Sequence, residues 1–213
     1  MTPGPVSVYN CPSCNKIVKR MNLGSGNDID AEMFSDRKWD APFMPDYPQV
    51  VKCRFCNAIF WFKDLQEIGT FYYGDKNVPD EWYNGQLPRS LNCLQNVEAI
   101  ETGAASTFEE LFYVRQQIWW FFNDRVRPNK GFKFHHDEEE EEIWRTNLIE
   151  FRKILDPTNT DHKLIMAEID RNLGNFESSK QLLDEITDPE YDWVVNAFKE
   201  AVDRKDTMVF KLY

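Results

Sequence analysis

Histidine is scarce in this sequence: there are three, His135, His136 and His162, and the first two are adjacent. A glycine-rich phosphate loop, a nucleophile elbow and a His-Glu-x-x-His helix are all missing. The common routes to phosphoryl transfer, acyl transfer and zinc-dependent hydrolysis therefore have no recognisable residues, and no catalytic set is expected. His162, beside Asp161 at the start of an expected helix, fits a cap and a partly exposed ring better than a base. Positive charge is in deficit too. Lys and Arg number 25 against 36 Asp and Glu, a formal net charge of −11, and an acidic surface repels phosphates. Long apolar runs are absent: Ile118 to Phe122 falls far short of the ~20 residues that span a bilayer. Met1 to Pro5 shows no basic segment followed by an apolar run, so no secretory leader is expected. The expectation is a non-enzymatic, cytoplasmic protein with no membrane contact.

What is present points to a folded chain. Hydrophobic residues make up 42% and aromatics 15%, ample for a core and against wholesale disorder. The acidity is unevenly spread. Residues 1–75 hold 8 Lys and Arg against 9 Asp and Glu, so the remainder, with 17 against 27, carries nearly all the excess.

Four of the five cysteines form two close pairs, Cys11-Pro12-Ser13-Cys14 and Cys53-Arg54-Phe55-Cys56. Paired Cys-x-x-Cys in a chain without a leader reads as a metal site and not as disulfides. Each pair needs a tight turn that aims backbone N–H groups at sulfur, and the residue after the second Cys favours a left-handed conformation. Asn15 and Asn57 stand there, the best choice after glycine. Short strands are expected on either side: Val6 to Tyr9, Ile17 to Val18, Val50 to Val51, and Ile59 to Phe62. Two β-hairpins would then clamp one structural zinc ion through Cys11, Cys14, Cys53 and Cys56. Iron accepts the same tetrahedral sulfur set in a rubredoxin-like site, but rubredoxin knuckles carry Gly where this chain has Asn, which ranks iron second. Cys93 has no partner at ligand spacing and reads as a small buried hydrophobe.

Between the knuckles, Leu23 to Asn27, Phe34 to Asp36 and Trp39 to Pro48 interleave Gly, Pro and aromatic residues. That composition suggests an ordered irregular loop. Trp39, Phe43 and Tyr47 either roof a module too small to bury itself or present an interaction surface.

The knuckles, Ser25-Gly26-Asn27, the Ala41-to-Pro48 run, Ala58-Ile59-Phe60-Trp61, Tyr113-Val114-Arg115 and Trp119 to Asp124 together resemble an uncharacterised bacterial family. That family joins an N-terminal zinc-ribbon-like module to a C-terminal tetratricopeptide-like helical region. The resemblance implies a fold and a domain order and brings no activity with it.

Residues 76–105 show no sustained period and read as a connector with one short helix near Val97 to Glu101. Thr107 and Glu110 form a capping box, and Phe108, Leu111, Phe112, Ile118, Trp119, Phe122 and Val126 recur at helical spacing up to Pro128. Arg115 and Trp119 admit two readings, core with an arginine at its rim or part of an interaction surface. His135-His136-Asp137 and Glu138 to Glu142 invite a metal reading, yet carboxylates in a first helical turn are favoured by the helix dipole. The helix that follows would bury Ile143, Trp144, Leu148, Phe151, Ile154 and Leu155.

Asp161 to Leu173, a Gly174-Asn175-Phe176 turn and Glu177 to Ile186 look like one tetratricopeptide-type hairpin, with Ala167 and Ser179 as the small contact residues. A further helix, Pro189 to Arg204, would bury Trp193, Val194, Ala197, Ala201 and Val202. Met208 to Tyr213 suit a docked tail or edge strand. The expected class is α+β: a zinc-ribbon-like module over 1–75, a connector over 76–105 and a helical domain over 106–213, with the hairpin at about 161–187.

A protein-interaction module fits this layout, as an adaptor, an assembly factor or an inhibitory, immunity-type protein, with a basic protein as the favoured partner. A nucleic-acid-linked regulator would need Lys16, Lys19, Arg20, Arg37, Lys38, Lys52 and Arg54 gathered on one face. A rubredoxin-like electron carrier would need iron.

Overall fold

The structure, a computed structural model, describes residues 1–127 and 133–212. Pro128, expected to stop a helix, and Tyr213 lie outside the described residues. In chain order the strands are β1 (Thr2–Pro3), β2 (Val6–Asn10), β3 (Ile17–Arg20), β4 (Leu23–Ser25), β5 (Glu32–Met33), β6 (Trp39–Asp40), β7 (Val50–Lys52), β8 (Ile59–Trp61), β9 (Glu67–Phe71) and β10 (Arg89–Ser90). The helices are α1 (Asp80–Tyr83), α2 (Cys93–Glu101), α3 (Phe108–Val126), α4 (Glu138–Ile154), α5 (Thr160–Asn172), α6 (Phe176–Asp184) and α7 (Asp192–Asp203). The chain is thus mixed α and β.

It divides into two units. One comprises Met1–Ala31 and Ala41–Ala104, the other Glu32–Asp40 and Ala105–Tyr213. This corrects the expected layout twice. Residues 32–40 leave the first unit, and the supposed connector, up to Ala104, is an integral part of it.

In the first unit, β2 is the centre of an antiparallel sheet ordered β3-β2-β9, and β7 the centre of one ordered β10-β7-β8. The first knuckle joins β2 to β3 and the second joins β7 to β8. Alternate residues of these strands enter one core, where Tyr9, Val18, Val51, Phe60 and Phe62 surround Cys11 and Cys53. The opposite face of β2 feeds a second cluster of Val6, Val8 and Phe71, against which Trp82 and Val78 pack. Residues 84–87 lie along β3: the Lys19 amide donates to the Gln86 carbonyl at 2.9 Å, and the Gln86 amide to that of Ile17 at 3.2 Å. Helix α2 begins at a reciprocal Asn92–Gln95 capping box, and the Trp61 indole donates to the Ala104 carbonyl at 2.6 Å. A four-residue helix and a two-residue strand are too short to show a hydrophobic period, so the sequence showed only the short helix near Val97 to Glu101, which is the second half of α2.

In the second unit, α3 starts at the expected Thr107–Glu110 capping box. It packs on α4, with Phe112 edge-on to Phe151 at 5.1 Å. Helices α5 and α6 form a hairpin around Gly174, whose φ of +79° needs no Cβ penalty. Small residues meet between them: the Ser179 hydroxyl donates to the Ala167 carbonyl at 2.7 Å, and both residues are fully buried. Leu164, Leu183, Val194, Phe198 and Val202 fill the core they share with α7.

Two buried ionic networks complete this unit. Asp36 is bound by Arg127 at 2.5 Å and by the Asn123 amide at 2.7 Å. Arg171 pairs with Glu168 at 2.6 Å, donates to the carbonyls of Asp206 and Met208, and packs over Phe210. The C-terminal residues pair with the 32–40 segment: Ser35 N–H donates to Phe210 at 2.9 Å and Leu212 N–H to Met33 at 2.8 Å. Among the described residues no helix is long and apolar enough to cross a membrane.

Candidate metal centre

The four thiols of Cys11, Cys14, Cys53 and Cys56 converge, all Sγ atoms lying within 4.8 Å of one another. Each knuckle is built by its own backbone. Asn15 N–H donates to the Cys11 carbonyl at 2.9 Å and Asn57 N–H to that of Cys53 at 3.1 Å, while Cys11 and Cys53 donate to Lys16 and Ala58, both at 2.9 Å. The turns close through Asn15 and Asn57 at φ of +57° and +63°, the left-handed geometry expected of those positions. Asn57 has a further task, its side-chain carbonyl accepting from Arg89 at 2.5 Å.

Sulfur spacing tests whether a metal fits. A tetrahedron with 2.3 Å metal–sulfur arms has edges of ~3.8 Å. Cys11 and Cys56 sulfurs are 3.7 Å apart and those of Cys14 and Cys53 3.9 Å. Disulfides need ~2.05 Å, and all five cysteines are free. The first unit contains no histidine, so sulfur is the only soft donor available. The set suits a tetrahedral metal ion, and zinc and iron(II) both accept it.

The thiols differ electrostatically. Burial pushes Cys11 up to about 12 against the pull of the Cys14 and Ser13 amides. Cys14 is raised as well: the Lys16 amide lowers it, but burial and the Cys56 sulfur outweigh that. Cys56, exposed and facing the Ala58 amide, is lowered to about 7. As four thiolates they would repel one another at this distance, and a divalent metal would supply the balancing charge.

The remaining candidates scatter. Phe43 is exposed, and Tyr47 is half-buried at the edge of a shallow 330 Å³ cavity with Arg20, Phe62 and Lys63. The Phe43 carbonyl sits where a Cβ on Gly26 would be, so that glycine lets the 41–48 loop fold back on 23–27. Trp39 is exposed on β6 and belongs to the second unit, not with Phe43 and Tyr47. Trp119 is removed from any interaction surface: it is fully buried, its indole donating to Asn172 at 2.9 Å and its ring edge-on to Phe151. Arg115 is half-buried between α3 and α4, the Asn147 amide donating to its carbonyl at 2.9 Å. Cys93 is buried in the first turn of α2 and outside the sulfur group.

The seven cations also separate. Arg37 and Lys38 belong to the second unit and pair there with Asp161 and Asp124, at 2.8 and 2.6 Å. In the first unit Lys52 pairs with Glu98 at 2.8 Å, and Lys19 is buried. In the acidic run, Asp137 caps α4 and Glu140 grips Arg125 with both oxygens at 2.6 and 2.8 Å. Among the described residues no three of its carboxylates and imidazoles converge as metal ligands would.

Comparison with known protein families, curated proteins and solved structures finds no match. Function therefore has to be read from the chemistry of the chain itself.

Proposed function

We propose that this is a non-enzymatic interaction protein whose first unit is a zinc-ribbon-like module with a structural zinc ion. The observation that carries the reading is the four-sulfur cluster, with edges of 3.7 and 3.9 Å. A complete thiolate set leaves a bound zinc no open coordination position, so the metal cross-links and offers no reactive site. Cys11, Cys14, Cys53 and Cys56 would hold it, and the Asn15 and Asn57 turns would keep the sulfurs aimed. Free thiols suit a reducing compartment, and the cytoplasm is the compartment we assign.

The α5–α6 hairpin, with its Gly174 turn and Ala167–Ser179 contact, is read as tetratricopeptide-like. A net charge of −11 favours a basic protein as partner. The nucleic-acid reading is the weaker one, because folding assigns its seven cations to two units and uses several of them in ion pairs.

Elemental analysis of the purified protein, with a pull-down from native extract on the same preparation, tests both halves. The expected result is one zinc per chain and a stoichiometric protein partner. Iron in place of zinc would replace this reading with electron transfer. Nucleic acid recovered at low salt and lost at high salt would replace it with the regulator.

A further inference from the structure

Lys19 is the least expected residue of the first unit. It lies on β3 and is only 6% exposed, yet among the described residues no carboxylate pairs with it. Its ammonium donates to the Tyr83 carbonyl at 2.7 Å and stands 5.9 Å from the centre of the Tyr73 ring. An ammonium carries three donors, so two are left without an acceptor among the described residues. A buried cation in this condition is costly, and its burial lowers the Lys19 pKa.

The amine borders a cleft of 420 Å³ formed by Arg54, Tyr73, Tyr83 and residues 84–87. No lining residue is acidic, in a chain with 36 Asp and Glu. Arg54 reaches the rim with its Nε on the Leu87 carbonyl at 2.6 Å, which leaves its terminal nitrogens without a partner among the described residues. The tyrosines form the walls. Their centroids are 6.3 Å apart and their planes 80° from each other. Phe71 braces both, at 5.7 and 6.4 Å. Each tyrosine is just over half exposed. A flat group can stack on one ring and meet the other at its edge.

We propose that this cleft binds an oxyanion carried on a planar ring, the acid group on Lys19 and Arg54 and the ring stacked on Tyr73 or Tyr83. The volume is at the small end for ligand sites and fits a mononucleotide or an aromatic carboxylic acid. Both present the same chemistry to the cleft. The site is independent of the protein-partner reading and carries a ligand of another class.

Isothermal titration calorimetry on the full metal-loaded chain tests it, with AMP and 4-hydroxybenzoate as probes and phosphate, acetate and adenosine as controls. One of the two probes is expected to bind with Kd below about 1 mM, at least ~10-fold tighter than any control. Binding of AMP alone identifies a nucleotide, and of 4-hydroxybenzoate alone an aromatic acid. Lys19→Met should weaken the probe ~10-fold or more and Arg54→Gln ~3-fold or more, with metal content unchanged. If Lys19→Met does not fold, Arg54→Gln and Tyr73→Leu, at exposed positions, carry the test. No heat with either probe, a control binding as tightly as the probe, or affinity unchanged in the variants that fold would overturn the proposal.

Discussion

In the first unit the buried side chains crowd around sulfur. Its strands run from two to five residues, and Cys11 and Cys53 are themselves members of the larger core cluster. In the second unit helices of up to 19 residues share aromatic and aliphatic cores, and charges are buried in pairs, Asp36 with Arg127 and Glu168 with Arg171. Short strands bury little apolar surface each, so a unit built from them leans on a cross-link. The helical unit spreads its stability over many contacts, which individually matter less and which no single ligand controls. On the proposed metal reading, one half of the protein answers to metal and thiol chemistry and the other to packing and buried ion pairs.

Removing the metal should show this most strongly. Structural zinc supplies on the order of 10 kcal/mol in small modules, comparable to the whole stability of a typical domain. Chelation, or Cys53→Ser at a fully buried ligand, is expected to unfold the first unit while the helical circular dichroism signal at 222 nm persists. Hydrogen exchange should then be fast across β2, β3, β7 and β8 and slow in α3, α5 and α7. Collapse of the helical signal together with the strands would break the comparison and make the chain one cooperative unit.

The converse experiment attacks the second unit. Asp36→Ala takes from the Arg127 guanidinium, which is 3% exposed, one of its two carboxylates and leaves it Asp124 at 2.6 Å, so the cost should be about 3 kcal/mol, the low end for breaking a buried ion pair. Urea unfolding followed through the helices should shift by that amount, with one metal per chain retained. Metal loss in this variant would show that the 32–40 segment, carried between the two knuckles in sequence, transmits the damage.

Much of this was legible in the sequence, unevenly and for physical reasons. The knuckles, their flanking strands and the Asn turn residues follow from ligand spacing and from left-handed backbone chemistry. Helices α3 to α6 follow from long hydrophobic periods and caps such as Thr107 and Glu110. In residues 76–105 the short helix near Val97 to Glu101 was legible as part of α2, while α1 and β10 are too short to establish a period. An available signal was passed over as well, the Asn92-x-x-Gln95 capping box that opens α2. Trp119 shows another limit. A tryptophan on an amphipathic stripe reads first as core and second as surface, and its complete burial against Phe151, with the distant Asn172 as acceptor, decides for core. Asp36 and Arg127 lie 91 positions apart, and no local pattern could have paired them. Lys19 gave no sign of burial, since a lysine in a short strand normally faces water.

A smaller effect sharpens the comparison within the helical unit. Glu140 is lowered to about 2, chiefly by its hydrogen bonds to Arg125. A carboxylate with a depressed folded pKa stabilises above its unfolded value, ~4.5, and loses that contribution as pH falls through about 2. Glu140 is 25% exposed in this pair, so Glu140→Gln should cost only ~1 kcal/mol at neutral pH. The difference between wild type and variant should vanish in acid, as measured by thermal melts from pH 7 down to about 2. A gap that persists at the acid end would mean that packing, not charge, is what Glu140 contributes.

The smallest effect lies in the knuckle turns, where the two halves of the metal site can be compared with each other. Asn15 and Asn57 both hold positive φ, and Asn→Ala at either should cost ~1 kcal/mol because Ala is poorly suited to that region. Gly substitution should separate them. Asn15→Gly keeps the turn and is expected to be neutral or slightly stabilising. Asn57→Gly also loses the Arg89 hydrogen bond, an exposed contact worth ~0.5 kcal/mol, so it should fall between wild type and Asn57→Ala. Competition with a chromogenic chelator reads these differences as metal affinity, since whatever destabilises the preformed turn is drawn from the binding free energy. Equal losses for Asn→Ala and Asn→Gly at both turns would show that the side-chain amides, and not the left-handed backbone, are what the site requires.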